Sequence, residues 1–156
     1  MNIFLLDSNL EKNAEYYCDK HIIKMILESV QILCSVSHLK GVNAPYKLTH
    51  QNHPCVQWVL KSGGHWDMLV DLVEKLNTEY KFRYNKTTNH KSYDIMKQLT
   101  KPQFNTNIPT GIFVAVVDTV KICNAFDVIQ EYRKYYKLKN NEIKMSWTKR
   151  QKPFFI

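Results

Sequence analysis

Glycine and proline are scarce in this chain, four and five among 156 residues. Sandwiches and barrels of many short strands spend such residues on their turns, so a many-stranded architecture is disfavoured. No apolar run approaches the roughly 18 residues of a bilayer span, and no membrane partner is expected. The opening Met1-Asn2-Ile3-Phe4-Leu5-Leu6-Asp7 has no basic n-region and too short an apolar stretch for a signal peptide. The expected compartment is therefore the cytoplasm, that of a host cell if the gene is viral. The four cysteines, Cys18, Cys34, Cys55 and Cys123, contain no C-x-x-C pair. Without a secretory signal they are expected as reduced thiols. There is no glycine-rich phosphate loop, no G-x-S-x-G and no H-E-x-x-H, and Asp19 and Asp67 are too isolated to suggest a two-metal site.

What is present fits one globular domain, residues 1–156, of which 44% are apolar. The expected fold is mainly α, a compact helical domain around a long central N-terminal helix, with a short extended arm before it. The net charge is +8, and residues 132–152 hold +7 of it: eight cations against Glu142 alone. Tyr132, Tyr135, Tyr136 and Trp147 are interleaved there. Such a mixture suits phosphate contacts and base stacking, with Arg133, Lys149, Arg150 and Lys152 as candidate nucleic-acid ligands; a solvated helix and tail is the bland alternative.

Along the chain, residues 2–6 read as a short strand or buried arm. Ser8-Asn9-Leu10-Glu11 has capping-box form and opens a helix predicted over about 9–38. Between Ile22 and Val36 that helix is apolar almost all round, with Ile23, Leu27, Val30 and Cys34 as a second apolar row, so it belongs in the middle of the fold. One polar stripe remains, His21, Lys24, Glu28, Gln31 and Ser35, which faces either solvent or a cleft. Further helices are predicted over 54–61, stopping at Gly63-Gly64, and over 65–84, 92–99 and 125–138. The last carries Phe126, Ile129, Tyr132 and Tyr136 inward. Residues 112–120 are β-branched, and their period does not separate a strand from a buried turn. The apolar end, residues 152–156, is expected to pack back on the body.

Three constellations could carry chemistry. His21, Lys24 and Glu28 place an imidazole, an amine and a carboxylate on one helix edge. An amine there could attack a sugar C1′ and form a Schiff base while the carboxylate moves the proton. The structural alternative is an ordinary i,i+4 ion pair. Cys18-x-x-His21 and His50-x-x-His53 have spacing that zinc accepts, although a helix is an unusual home for such a site. Lys47, Thr49, His50, Asn52 and His53 crowd before a helix N-terminus, where an anion such as phosphate is welcome; Lys20 and Arg83 would add charge.

Cys18-Asp19-Lys20-His21-x-x-Lys24-Met25-x-x-Glu28, Tyr46-Lys47-Leu48-Thr49-His50-x-Asn52-His53-Pro54, Glu79-Tyr80-x-x-Arg83-Tyr84 and Tyr132-Arg133-x-Tyr135-Tyr136 resemble a family of small uncharacterised proteins common in bacteriophages and other large DNA viruses. In layout the chain is also similar to the phage pyrimidine-dimer DNA glycosylases, small basic helical domains with a short arm, a long helix bearing the catalytic carboxylate, and an aromatic-basic tail. That resemblance implies Glu28 as the carboxylate. The family attacks with the α-amine of a small second residue exposed when Met is removed. Asn2 is a poor context for that removal, so Lys24 would have to serve as nucleophile, or the chemistry differs.

The expected function is a small viral enzyme acting on DNA or nucleotides, with N-glycosidic cleavage as its reaction and no cofactor. His21, Lys24 and Glu28 are the candidate catalytic residues; Lys20, Lys47, His50, Asn52, His53 and Arg83 would hold phosphate or base. The rivals are a non-catalytic nucleic-acid-binding or host-takeover protein, and a metal-dependent hydrolase using Cys18, His21, His50 and His53. The oligomeric state is not legible.

Overall fold

The structure, a computed structural model, describes residues 2–108, the backbone of 113–116, 119–122 and 125–127, and residues 128–156. The elements run α1 (Leu10–Tyr16), α2 (Asp19–Leu39), α3 (Pro54–Leu60), α4 (Gly63–Tyr84), α5 (Lys91–Met96), β1 (Phe113–Val116), β2 (Thr119–Ile122) and α6 (Ala125–Glu142). The fold is mainly α, as the sequence predicts, and α2 packs against α3, α4 and α5. Ile22, Met25, Ile26 and Ile32 of α2 are buried. By length and composition α2 also suits a bilayer span, and a helix at the centre of a core needs the same apolarity. The β-branched stretch contributes an antiparallel pair, Phe113 opposite Ile122 and Val116 opposite Thr119. The expectations for Phe126 and Cys123 lie outside the described side chains, while Cys18, Cys34 and Cys55 are buried free thiols.

The helix predicted over 9–38 is two helices. Tyr17 and Cys18 are extended, with ψ of 137° and 160°. The carbonyls of residues 15–17 would have bonded the next helical turn; side chains from elsewhere take them instead. Arg83 Nη2 donates to Glu15 O at 2.8 Å, Trp147 Nε1 to Tyr16 O at 2.9 Å, and Arg83 Nη1 to Tyr17 O at 2.8 Å. On the far side of the break the Tyr136 hydroxyl accepts from Cys18 N at 2.8 Å and Ser146 O from Asp19 N at 2.9 Å. Asn9, rather than Ser8, caps α1 by accepting from Lys12 N.

Arg83 is 2% exposed. Its remaining bonds go to Asp19 Oδ1 at 3.0 Å and Glu79 Oε1 at 2.6 Å. Arg150 meets Glu79 in a two-pronged contact, both bonds 2.9 Å. Asp19 also accepts from the Ser146 hydroxyl and from the backbone and hydroxyl of Thr148. Burial alone would raise the Asp19 carboxyl, but these donors outweigh it and hold its pKa below the usual value. One charged cluster thus joins the α1–α2 break, α4 and residues 146–150.

The arm is the second unusual part. Ile3, Phe4, Leu5 and Leu6 are all buried, yet among the described residues no strand is paired with them. Side chains bond their backbone. The Tyr17 hydroxyl accepts from Phe4 N and donates to Phe4 O; Asn13 accepts from Leu6 N and donates to Phe4 O; Arg133 Nε donates to Leu6 O at 2.8 Å. Phe4 stacks on His21, ring centres 5.1 Å apart, and His21 Nδ1 lies 2.8 Å from the Tyr136 hydroxyl.

Smaller departures have local causes. Gly63-Gly64 begins a helix instead of ending one: Ser62 Oγ accepts from Gly64 N, and Gly63 N donates to Thr106 O. A Cβ at Gly63 would collide with Asn107. α5 is shorter than the predicted 92–99 and α6 extends past 138 to Glu142. At the end of the chain Pro153 is buried, and Phe154 and Phe155 pack edge-on to Tyr16, although Phe154 stays largely exposed.

Two outcomes follow from this packing. Glu79→Ala removes the carboxylate shared by two guanidinium groups, one of them buried, and should cost about 3–5 kcal/mol. Urea unfolding measures it, and a loss under about 1 kcal/mol would place the cluster among ordinary surface pairs. Burial pushes His21 from 6.5 down to about 4, with Lys24, Lys139 and Lys20 adding to the shift. An unfolded chain takes up that proton near 6.5, so the folded state should lose stability as pH falls from 6.5 toward 4. His21→Gln should flatten the stability–pH curve across that window; parallel curves for wild type and variant would refute the assignment.

Candidate active site

The arm delivers residue 2 to the edge of α2. Asn2 backbone N donates to Glu28 Oε2 at 3.1 Å. The Asn2 side chain is itself pinned: its Oδ1 accepts from Ile3 N at 2.8 Å and from the Tyr132 hydroxyl at 3.3 Å, with Cys55 Sγ 4.0 Å away. Residue 2 therefore sits where α2, α3 and α6 meet. Glu28 has 14% of its side chain exposed, so it lies at the bottom of the edge and still reaches solvent. Lys24 Nζ is 3.6 Å from Glu28 Oε1 with 62% of its side chain exposed, an amine on the rim.

The start of α3 forms the other wall. His53 is its N-cap, Nδ1 accepting from Cys55 N at 3.1 Å. That bond leaves the proton of neutral His53 on Nε2. Burial, with the charge of His50 adding to it, lowers the His53 pKa, while Glu28 opposes the shift from within electrostatic range. Cys55 is buried and its thiol is pushed up to about 12, chiefly by burial, so it is no nucleophile. The preceding loop lies along the second half of α2, because Ser35 Oγ donates to Thr49 O and accepts from Thr49 N. Lys47, His50 and Asn52 are exposed on that loop, and Lys20 is exposed near the start of α2. The chemical result is a carboxylate holding a main-chain nitrogen, with one amine at the rim and one half-buried imidazole nearby.

Several expected participants are elsewhere. His21 is 5% exposed and lies under Phe4, bonded to Tyr136, so it is a packing residue and not part of the open stripe. Arg83 sits at the Asp19 end of α2, nine residues before Glu28 or about 13 Å along the axis, on the opposite side of the helix. Every nitrogen of its guanidinium is bonded to protein. Cys18, His21, His50 and His53 do not assemble a metal site: among the described residues no three His, Cys, Asp or Glu side chains are grouped as ligands.

The basic tail is also used differently from the expectation. Arg133 bonds Leu6 O and Asp7, Lys149 bonds Phe82 O and Asn85, and Arg150 bonds Glu79 and pairs with Glu15. Lys152 lines an open cavity of about 410 Å³ with Lys12, Tyr16 and Phe154. Tyr132 and Tyr136 are buried in the core, and Trp147 is tied to Tyr16, so the interleaved aromatics are not an open stacking platform. The sequence reading set the nitrogen of residue 2 aside in favour of Lys24, and did not expect Tyr132 as its neighbour. Asn2 lies in no periodic pattern, and the arm's return to α2 is what places it beside Glu28.

Residues 1–92 match the family model described as pyrimidine dimer DNA glycosylase. No curated protein and no solved structure matches the chain. The matched part contains the arm, all of α2 with Glu28, and α3 with its His53 cap, so the Asn2–Glu28 bond falls inside it, while Tyr132 of α6 lies beyond it. With more than half its length covered and DNA glycosylase chemistry implied, the chain belongs to the pyrimidine dimer DNA glycosylase family.

Proposed function

We propose that this protein cleaves the N-glycosidic bond of a damaged pyrimidine in DNA, using the nitrogen of residue 2 as nucleophile and Glu28 as its proton partner. The observation that carries the reading is the 3.1 Å bond from Asn2 N to Glu28 Oε2. While Met1 is attached that nitrogen is an amide and cannot attack. Once Met1 is removed it is an amine already held against a carboxylate. The amine nitrogen bonds to C1′ as the C1′–base bond breaks and the base departs with the electron pair. Glu28 takes the proton the amine gives up and returns one to the sugar ring oxygen as the ring opens to the imine. The pinning of Asn2 by Tyr132 and Ile3 fixes the direction of attack, which is where positioning contributes most.

Lys24 is the second reading, favoured by its 3.6 Å approach to the same carboxylate. The two are separable. Reaction of the purified protein with a duplex containing a pyrimidine dimer, in the presence of borohydride, should trap a covalent adduct, and peptide mass spectrometry should locate it on residue 2 of chains that have lost Met1. An adduct on Lys24 transfers the role to that side chain. Absence of both adduct and base release on damaged DNA would sink the proposal.

Glu28→Gln keeps the shape and removes the charge. It should lower single-turnover base release by about 10²-fold or more. Lys24→Met, on the rim, should weaken DNA binding modestly and leave the trapped adduct on residue 2.

A further inference from the structure

α2 is covered around most of its circumference, but one arc of its first half is open. Lys20, Ile23, Lys24 and Leu27 stand on that arc. Ile23 and Leu27 keep 42% and 37% of their surface exposed, whereas Val30 and Cys34, which continue the same row, are completely covered. The apolar row expected to lie in the core is therefore half in and half out. Ile23 and Leu27 are four apart and so lie side by side. Leu27 precedes Glu28 in the chain, and Lys24 beside it reaches the same carboxylate. On the helix surface Lys20 and Lys24 form a parallel row beside this apolar pair, on the side that leads round to Glu28. A single exposed apolar side chain is ordinary. An apolar pair edged by a row of two ammonium groups, next to a carboxylate cleft, is complementary to one kind of surface: apolar faces carried beside phosphates.

We propose that Ile23 and Leu27 form a wedge against the opened base stack of duplex DNA beside the reacting nucleotide, while Lys20 and Lys24, in the neighbouring row, take phosphates of the strand that runs on toward Glu28. This deepens the reading of the Glu28 edge as a DNA site and rests on it. C1′ of a stacked nucleotide is accessible to an enzyme only after the stack is disturbed, and opening it costs least at a damaged base. Apolar side chains such as Leu and Ile inserted at a base step stabilise the opened form, because the exposed base face then meets hydrocarbon instead of water. Both residues lie on a rigid helix anchored by the core, which allows them to push without yielding. Each lysine neutralises one phosphate and adds to the salt dependence of binding.

The test uses the full chain carrying Ile23→Gln with Leu27→Gln, and a second variant carrying Ile23→Met with Leu27→Met. Both pairs are exposed, so folding is checked by melting and not expected to decide the outcome. The probes are a duplex with one pyrimidine dimer and 2-aminopurine next to it, and the same damaged strand unpaired. Wild type and the Met pair should raise 2-aminopurine fluorescence on binding the duplex, and the Gln pair should not. Base release by the Gln pair should fall about tenfold further on the duplex than on the single strand. Equal losses on the two substrates, an unchanged rate on both, or undiminished fluorescence with the Gln pair would overturn the proposal. So would a wild-type dimer in sedimentation without DNA that the Gln pair dissolves, since the face would then belong to a second copy. If wild type releases base from neither substrate, the glycosylase reading fails, and the fluorescence comparison still decides the wedge.

Discussion

A peptide segment taken out of water must have its N–H and C=O groups bonded, and among the described residues no strand pairs with the arm. Asn13, Tyr17 and Arg133 do the work of one, supplying donors and acceptors to Phe4 and Leu6 from side chains. Tyr17 reaches Phe4 only because the chain turns out of helix at residues 17–18. That break is held open by Arg83 and Trp147, which satisfy the carbonyls it leaves behind. The place of residue 2 beside Glu28 thus depends, step by step, on a buried guanidinium at the other end of α2.

The same dependency explains where the positive charge goes. A chain with +8 and a basic C-terminal stretch invites an electrostatic reading. Yet Arg133, Lys149 and Arg150 are bonded to main-chain carbonyls or carboxylates of the body. An arginine with five fixed donors is suited to tying separate carbonyls together in a way lysine is not. On the open arc of α2, by contrast, Lys20 and Lys24 are exposed, Lys24 beside Glu28.

Much of the scaffold was legible in the sequence. The all-round apolarity of residues 22–36 identified α2 as the central helix, and the helix expected from residue 54 is α3. The pairing of Lys24 and Glu28 followed from their spacing. The break at Tyr17 was not legible, because no proline or glycine marks it; its cause is a residue 66 positions away. His21 lies on the polar side of α2 by angle alone, and only the arm folding over it reveals that it is core. Ile23 and Leu27 fail in the opposite sense: helical period groups them with Val30 and Cys34, but that half of the row stays exposed. Period reports which residues share a face and says nothing of whether that face is covered along its whole length.

The bond from Tyr132 to Asn2 spans 130 residues. During synthesis the arm is made well before its partners Tyr132, Arg133 and Tyr136. At about 5–20 residues per second, roughly ten seconds separate the two events. Through that interval the amino end has no α6 to rest on and is open to whatever acts on nascent chains. Completion of α6 then brings residue 2 into its bonded place. The order in which the ribosome delivers the chain thus separates a period in which residue 2 lacks its α6 partner from one in which α6 holds it.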